Sequence, residues 1–342
     1  MHEAMLYDRL DQSRAGCNIC RWRCRINPDK TGVCRMYKNL SGRLYNLNYG
    51  LPSSMAVDPV EKKPLYHFFP GSSVFSMGSW GCNFKCSDCQ NWQISTAAEP
   101  VTTGNVEVSP QQAVSLAQQY GCQGIAWTYN EPTVWFEYTY DTARLAREKG
   151  LYTVYVTNGY MTIEALDTLG PYLNAWRVDV KGFRDDFYLK WSGIRNWRGI
   201  LETAEHALRR WGMHVEVVTN VIPAMNDDEE QLRGIAGWIA GSLGELTPWH
   251  VTRFHPYEKM AAGGYTPIET LEKAALIGRE AGLKFVYMGN TPGNKHENTV
   301  CFNCSRTVVE RDAYRTKLTG IAGSKCKYCG EELNFRTGQG GV

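Results

Sequence analysis

The chain has 342 residues, a formal net charge of +2 and 21% charged residues. That length buries a substantial core, and the balanced charge excludes binding driven by a one-signed field, so neither nucleic acid nor an acidic membrane surface is indicated. No apolar run reaches the roughly 18–20 residues that a membrane span requires, and the first ten residues are charged rather than signal-like, so the expected location is the cytoplasm.

Residues 1–72 are rich in Cys, Gly, Asn and basic residues and show little periodicity. Cys17, Cys20, Cys24 and Cys34 have the spacing C-x2-C-x3-C-x9-C and sit among Arg21, Arg23, Arg25 and Arg35. Four thiols suit zinc or an auxiliary cluster, and the spacing does not choose between them. A metal-stapled N-terminal module is preferred here over an electron-transfer site.

From residue 73 to 289 short β-branched or aromatic runs alternate with longer amphipathic stretches. Strands are expected at 74–78, 124–128, 152–157, 176–180, 214–221, 250–255 and 284–288, most of them apolar throughout, as strands covered on both faces are. Helices are expected at 110–120, 135–149, 162–169, 197–211, 227–243 and 267–281. Ser109-Pro110 marks a start, and Gly150 and Gly282 lie just past ends. Repeated right-handed βα units give an α/β fold, a partial parallel (β/α)6-type barrel with catalytic groups on the loops after its strands. A doubly wound open sheet is the alternative. Residues 290–342 form a third, C-terminal segment with a texture like the first.

Eleven of the twelve cysteines fall into three tight groups, while Cys122, after the helix-ending Gly121, reads as a small buried hydrophobe. A chain this long does not need disulfides, and grouped CxxC pairs are better read as metal ligands. Cys301-x2-Cys304 and Cys326-x2-Cys329 are paired knuckles that close a tetrahedral S4 site, most simply zinc, in a zinc-ribbon-like module.

The central group is different. Gly81-Cys82-Asn83-Phe84-Lys85-Cys86-Ser87-Asp88-Cys89-Gln90-Asn91 follows the first barrel strand with the spacing C-x3-C-x2-C. Three thiolates leave one metal position open to a substrate, whereas a structural site is closed by a fourth ligand. A zinc site completed by a distant histidine is the plainer alternative.

This triplet resembles the signature of the radical SAM superfamily, and the flanking Cys89-Gln90-Asn91-Trp92 resembles the branch of pyruvate formate-lyase activating enzymes. Over essentially its whole length the chain resembles the radical SAM component of the AmmeMemoRadiSam system. The resemblance implies a [4Fe–4S] cluster on Cys82, Cys86 and Cys89 whose open iron chelates S-adenosyl-L-methionine, and reductive cleavage to a 5′-deoxyadenosyl radical. It also implies cofactor contacts. Thr128-Tyr129-Asn130-Glu131-Pro132 resembles the segment that receives the methionine amino group, giving Asn130 and Glu131. Thr157-Asn158-Gly159 and Asp179-Val180-Lys181 resemble segments facing ribose and carboxylate, giving Asn158, Asp179 and Lys181. The stretch 219–226, with Ile222-Pro223, resembles the one that packs on adenine. In one place the chain departs from the pattern: Asp88 stands where an aromatic residue usually precedes the third cysteine, and Phe84 or Trp92 would have to supply the ring.

His250 and His255 close the sixth strand, and the resemblance includes their stretch, so a substrate-side role is considered beside a structural one. The expected hydrogen donor is a protein or peptide, as for activases, with a small molecule or lipid as the alternative. An external donor such as ferredoxin or flavodoxin, and Memo-like and AMMECR-like proteins, are the implied partners. A metal-stapled binding module or a plain Fe–S electron carrier would explain neither the incomplete cluster site nor the ordered loops.

Overall fold

The N-terminal residues build two small antiparallel sheets. Strands β1 (His2–Glu3), β5 (Tyr37–Leu40) and β6 (Arg43–Asn46) form one, in the order β1-β6-β5, and β2 (Tyr7–Leu10), β3 (Arg14–Cys17) and β4 (Arg25–Ile26) form the other. The coordinates are a computed structural model that describes residues 1–101, 106–256, 264–291 and 295–338.

The main sheet has eight strands: β7 (Ser54–Pro59), β8 (Ser73–Gly78), β9 (Gly124–Trp127), β10 (Tyr152–Thr157), β11 (Ala175–Asp179), β12 (His214–Val221), β13 (Trp249–Arg253) and β14 (Val286–Gly289). Its order runs sequentially from β14 to β7. That excludes the doubly wound alternative, whose strand order reverses at a switch point, and leaves a mostly parallel sheet wound in one direction. β8–β9, β9–β10, β12–β13 and β13–β14 pair parallel, with Met77 opposite Trp127 and Val221 opposite Arg253. The loops that follow paired strands therefore emerge at the same sheet edge, the C-terminal edge where βα folds keep their chemistry.

The helices form where local signals place them. Ser109 closes a capping box with Gln112 at the start of α2 (Pro110–Gln119), after the short α1 (Trp92–Ser95). α3 spans Phe136–Glu148 and α4 spans Ile163–Leu169, whose first turn is capped by the Thr162 hydroxyl. α5 (Asp185–Ser192) was not expected from the sequence. α6 (Arg198–Trp211) ends on Gly212 at φ 61°, the left-handed cap that glycine adopts without strain. α7 (Glu229–Trp238) starts on Asp228 and passes into a π turn at Ile239–Leu243, and α8 spans Ile268–Glu280. Among the described residues no helix is long and apolar enough to cross a membrane.

The chain divides into two compact units. The first comprises residues 1–58, 73–176 and 188–213, and the second comprises 59–72, 177–187 and 214–342. In the first, Met36, Trp80 and Val134 form a small buried cluster that carries the N-terminal cysteine segment against the loop after β8. In the second, the C-terminal strands β15 (Thr299–Val300), β16 (Thr307–Asp312), β17 (Arg315–Leu318), β18 (Ile321–Ala322) and β19 (Lys325–Cys326) pack a core of Tyr66, Phe285, Tyr287, Val308, Val309, Leu333 and Phe335 around Cys301 and Cys326.

Candidate active site

The loop that leaves β8 is shaped by its glycine. Gly81 has φ 79°, and a Cβ there would lie 2.6 Å from the Cys34 carbonyl oxygen and from Met36 Cγ. Only glycine lets the backbone pass this close. Cys82 follows at once; its sulfur accepts the Phe84 N–H at 3.4 Å and its thiol donates to Asn83 Oδ1 at 3.9 Å. The Cys89 thiol donates to Ser95 Oγ at 3.6 Å. Enclosure pushes the Cys82 thiol well above its ordinary pKa, the Glu131 carboxylate adds to the rise, and the Phe84 N–H opposes it. A thiol in that position becomes a thiolate when a metal takes the proton's place.

The segment after β9 is bound to this loop. Asn130 donates from Nδ2 to Ser79 Oγ (2.9 Å) and to the Gly81 carbonyl (2.7 Å), and its Oδ1 accepts the Ser79 N–H. Asn91, just beyond the triplet, donates to the Tyr129 carbonyl at 2.6 Å. Tyr129 sits at φ 74°, rare for a bulky residue and costly unless its surroundings hold it. They do, since its hydroxyl donates to Asp58 at 2.7 Å.

Glu131 is 2% exposed. Its Oε1 accepts from Thr133 N, Thr133 Oγ1 and Thr157 Oγ1, and its Oε2 accepts the Asn158 N–H at 2.7 Å. Burial raises its pKa and these four donors act against the rise. The polar atoms of Asn130 and Glu131 that were assigned to the methionine amino group are thus engaged with the protein, and both residues tie neighbouring loops together. Asn158 Nδ2 donates in turn to Asn83 Oδ1 at 2.8 Å.

Asp88 has a specific partner. Its Oδ1 accepts the Trp191 Nε1–H at 2.7 Å, and the Ser87 N–H donates to the Trp191 carbonyl. An aromatic ring thus comes to position 88 from α5. Phe84 is buried against Tyr160 at 5.4 Å between ring centroids, and Trp92 is only half-buried. Asn83, Asn91, Tyr129 and Trp191 are the residues sequence reasoning did not single out. The two asparagines stand inside the cysteine motif and were visible there, but Trp191 lies about a hundred residues downstream and only the fold connects it.

In the second unit, Asp179 accepts from Arg177 Nη1 and from Lys181 Nζ at 2.5 and 2.6 Å. Burial alone would raise its pKa, but the two cations overcome that and hold it below the ordinary value. Asn226 fastens the loops after β11 and β12, accepting the Ile222 N–H at 2.6 Å and donating to the Lys181 and Asn220 carbonyls. Ile222 is buried. His250 does not reach outward. It is buried, and its Nε2 donates to Glu216 at 2.7 Å, while His214, Tyr66 N and His67 N supply the other three donors of that carboxylate. Burial would raise Glu216, yet the histidine hydrogen bonds hold its pKa well below the ordinary carboxylate range. His255 contacts the Asn290 carbonyl at the surface.

The C-terminal cysteines converge. Cys301 and Cys329 sulfurs are 3.6 Å apart and those of Cys304 and Cys326 are 3.7 Å apart. All four lie within 4.8 Å of one another, the one such group among the described residues. A tetrahedral ion with bonds of about 2.3 Å separates its sulfurs by about 3.8 Å, so this quartet fits a single metal ion. Each knuckle ends on a left-handed residue, Ser305 at φ 57° and Gly330 at φ 79°. The Glu331 backbone N–H draws the exposed Cys329 thiol down to about 7, while burial pushes Cys301 up to about 12.

A mostly parallel βα sheet with three cysteines on the loop after its first parallel strand, and tethered loops after the next two, is an α/β fold of the kind that keeps its chemistry at the C-terminal edge. Residues 79–236 match the radical SAM superfamily. The uncharacterized protein MJ0808 of Methanocaldococcus jannaschii is 41% identical over 337 residues, 98% of this chain and 99% of its own length. The pyruvate formate-lyase-activating enzyme of Clostridium pasteurianum is 24% identical over 53% of this chain and 76% of its own. A radical SAM methyltransferase from Sphaerobacter thermophilus superposes with a TM-score of 0.50 at 18% identity, covering 65% of this chain and 67% of that one, and shares the fold. The chain belongs to the radical SAM superfamily.

Proposed function

We propose that the chain is an activase-like enzyme that reductively cleaves S-adenosyl-L-methionine and takes hydrogen from a protein or peptide. The three-thiol loop Cys82-x3-Cys86-x2-Cys89 carries the reading, because it offers an incomplete ligand set in a member of this superfamily. The donor set fits the group: soft thiols, one enclosed and already receiving a backbone N–H. Cys82, Cys86 and Cys89 would hold a [4Fe–4S] cluster there, and the group would supply the single-electron chemistry for reductive cleavage of S-adenosyl-L-methionine and hydrogen abstraction from the substrate.

The chain's own residues prepare the site. The Phe84 N–H orients the Cys82 thiolate, Asn130 fixes the backbone from Ser79 to Gly81, and Glu131 holds Thr157 and Asn158 in register. Asn158, Asp179, Lys181 and Ile222 are proposed as cofactor contacts on the resemblance of their segments. The C-terminal quartet is proposed to hold zinc as a structural ion, since its sulfur spacing suits that metal and two of its cysteines sit in the buried core of the segment.

The support for a polypeptide substrate is the similarity to enzymes named as activators of pyruvate formate-lyase and isethionate sulfite-lyase. Anaerobically reconstituted protein, given dithionite and S-adenosyl-L-methionine, should form 5′-deoxyadenosine; none from a fully loaded sample refutes the radical reading. Deuterium passing from a labelled partner polypeptide into 5′-deoxyadenosine supports the substrate class. Label arriving only from a small molecule or lipid overturns it.

A further inference from the structure

Tyr129 is held in a conformation that a bulky side chain resists. The Asn130 N–H donates to the Thr128 carbonyl at 3.0 Å around it, and with φ at 74° the three residues make a γ-turn of the rare, strained hand. Such a turn persists only when its surroundings hold it. The holding comes from β7 and β8. Ser53, just before β7, donates its N–H to the Gly78 carbonyl at the end of β8 at 2.9 Å. The Tyr129 ring lies across this pair: a Cβ on Gly78 would come within 2.9 Å of Tyr129 Cδ2 and within 2.6 and 3.0 Å of the Ser54 and Ser53 hydroxyl oxygens. Glycine at position 78 leaves the ring its place. Beyond the ring, the hydroxyl donates at 2.7 Å to the buried Asp58 carboxylate of β7.

Two consecutive residues of this turn fasten both ends of the cysteine loop. Asn130 holds the entrance, through Ser79 and the Gly81 carbonyl. Tyr129 holds the exit, its carbonyl accepting Asn91 Nδ2 at 2.6 Å. Asn91 is where the chain leaves the triplet, and its own carbonyl accepts the Ile94 and Ser95 N–H groups at the start of α1. The Ser95 hydroxyl takes the Cys89 thiol at 3.6 Å, and the Ile94 carbonyl takes the Gly81 N–H at 2.9 Å. Entrance and exit are thereby closed on each other. Because the peptide unit is planar, any relaxation of the backbone at Tyr129 swings the carbonyl that Asn91 uses.

We infer that Tyr129 is a positioning residue of the cysteine loop: Asp58 anchors its hydroxyl, the anchor holds the strained turn, and the turn sets Asn91 and with it the place of Cys89. The functional weight of this role rests on the radical SAM reading, in which the three cysteines must meet one cluster; the positioning itself does not. Without the anchor the turn relaxes toward negative φ, the carbonyl leaves Asn91, and the loop loosens from Cys82 to Ser95.

Hydrogen–deuterium exchange of the full, metal-free chain tests this in Tyr129→Phe and Asp58→Asn. Phenylalanine keeps the ring over Gly78 and loses only the hydroxyl, so exchange at residues 82–95 should rise about tenfold, the factor for one lost hydrogen bond to a charged group. Asparagine at position 58 still offers Tyr129 an oxygen, so Asp58→Asn should keep the loop protected. If Tyr129→Phe fails to fold, Asp58→Ala removes the same anchor and is read in the same way. After anaerobic reconstitution, Tyr129→Phe should release iron to a chelator about tenfold faster than the wild type, while Asp58→Asn should not. Exchange at 82–95 unchanged in Tyr129→Phe, or raised evenly over the whole chain, overturns the inference. An Asp58→Asn loop as unprotected as that of Tyr129→Phe overturns the anchor. The exchange is read without cluster or S-adenosyl-L-methionine, so a wild type that makes no 5′-deoxyadenosine refutes the radical reading alone.

Discussion

Replacing Glu131 by Gln separates a positioning role from direct contact with the cofactor. The amide oxygen can occupy the Oε1 position and keep Thr133 N, Thr133 Oγ1 and Thr157 Oγ1 as donors. The NH2 group then faces the Asn158 N–H, two donors where a carboxylate oxygen accepted at 2.7 Å. The loss is one charge-assisted hydrogen bond, about 1.5–3 kcal/mol, plus a stranded backbone N–H at about 1–3 kcal/mol. Removing a buried charge returns part of that, because burial already disfavours the ionised form. A net cost of about 2.5 kcal/mol lowers the melting temperature by about 5–10 °C in a unit of this size. Thermal unfolding of reconstituted protein without S-adenosyl-L-methionine measures it, with iron content as the control for loading. An unchanged melting temperature together with weakened cofactor binding would refute the positioning argument and restore Glu131 as a direct contact.

On the proposed function, Cys86→Ala should abolish 5′-deoxyadenosine formation, because loss of any one of the three thiolates would remove the open-iron site; normal turnover would remove Cys86 from the proposed ligand set. If the tail quartet holds a structural ion as proposed, wild-type protein purified in air should retain one metal there and Cys326→Ala should lose it and destabilise the tail, while the triplet loop still loads iron on reconstitution, as metal analysis would show. For His67, burial lowers the pKa to about 3 from 6.5. The unfolded chain therefore binds the proton more tightly, so the stability contribution is complete above about pH 6.5 and is lost as pH falls toward 3. Between pH 7 and 5 the loss is about 2 kcal/mol. His67→Gln should flatten the fall in melting temperature over that interval, and an equally steep fall in the variant would assign the slope to other groups.

Seven of the eight strands of the main sheet were legible because both faces are covered: runs such as Tyr152–Thr157 and His214–Val221 are apolar or buried at nearly every position, whereas β7, largely exposed, was not expected. The Ser109-Pro110 start located α2 to the residue, periodicity placed α4 within one residue, and the helix expected at 227–243 is the shorter α7, Glu229–Trp238, followed by a π turn. α5 stayed hidden because Phe187, Tyr188 and Trp191 are mediocre helix formers whose burial, not their propensity, keeps the segment helical. The N-terminal strands are two to four residues long, too short for a period to register. At the site, motif spacing pointed to the thiols. The tethers around them escaped notice because Asn83, Asn91 and Glu131 act across the fold, on Asn158, Tyr129 and Thr157, at separations a linear reading cannot connect.

The Glu216 carboxylate also sets an order of events during synthesis. Tyr66 and His67 donate their backbone N–H groups to it across 149–150 residues of sequence, and the stretch 59–72 belongs to the second unit although the strands on either side of it belong to the first. At about 5–20 residues per second, a ribosome takes on the order of ten to thirty seconds to deliver Glu216 after His67. For that interval a segment containing Tyr66, Phe68 and Phe69 has left the ribosome before its destination exists. Nascent chains of this protein therefore pass through a stage in which an aromatic loop waits uncovered, the stage at which holdase chaperones would act on them.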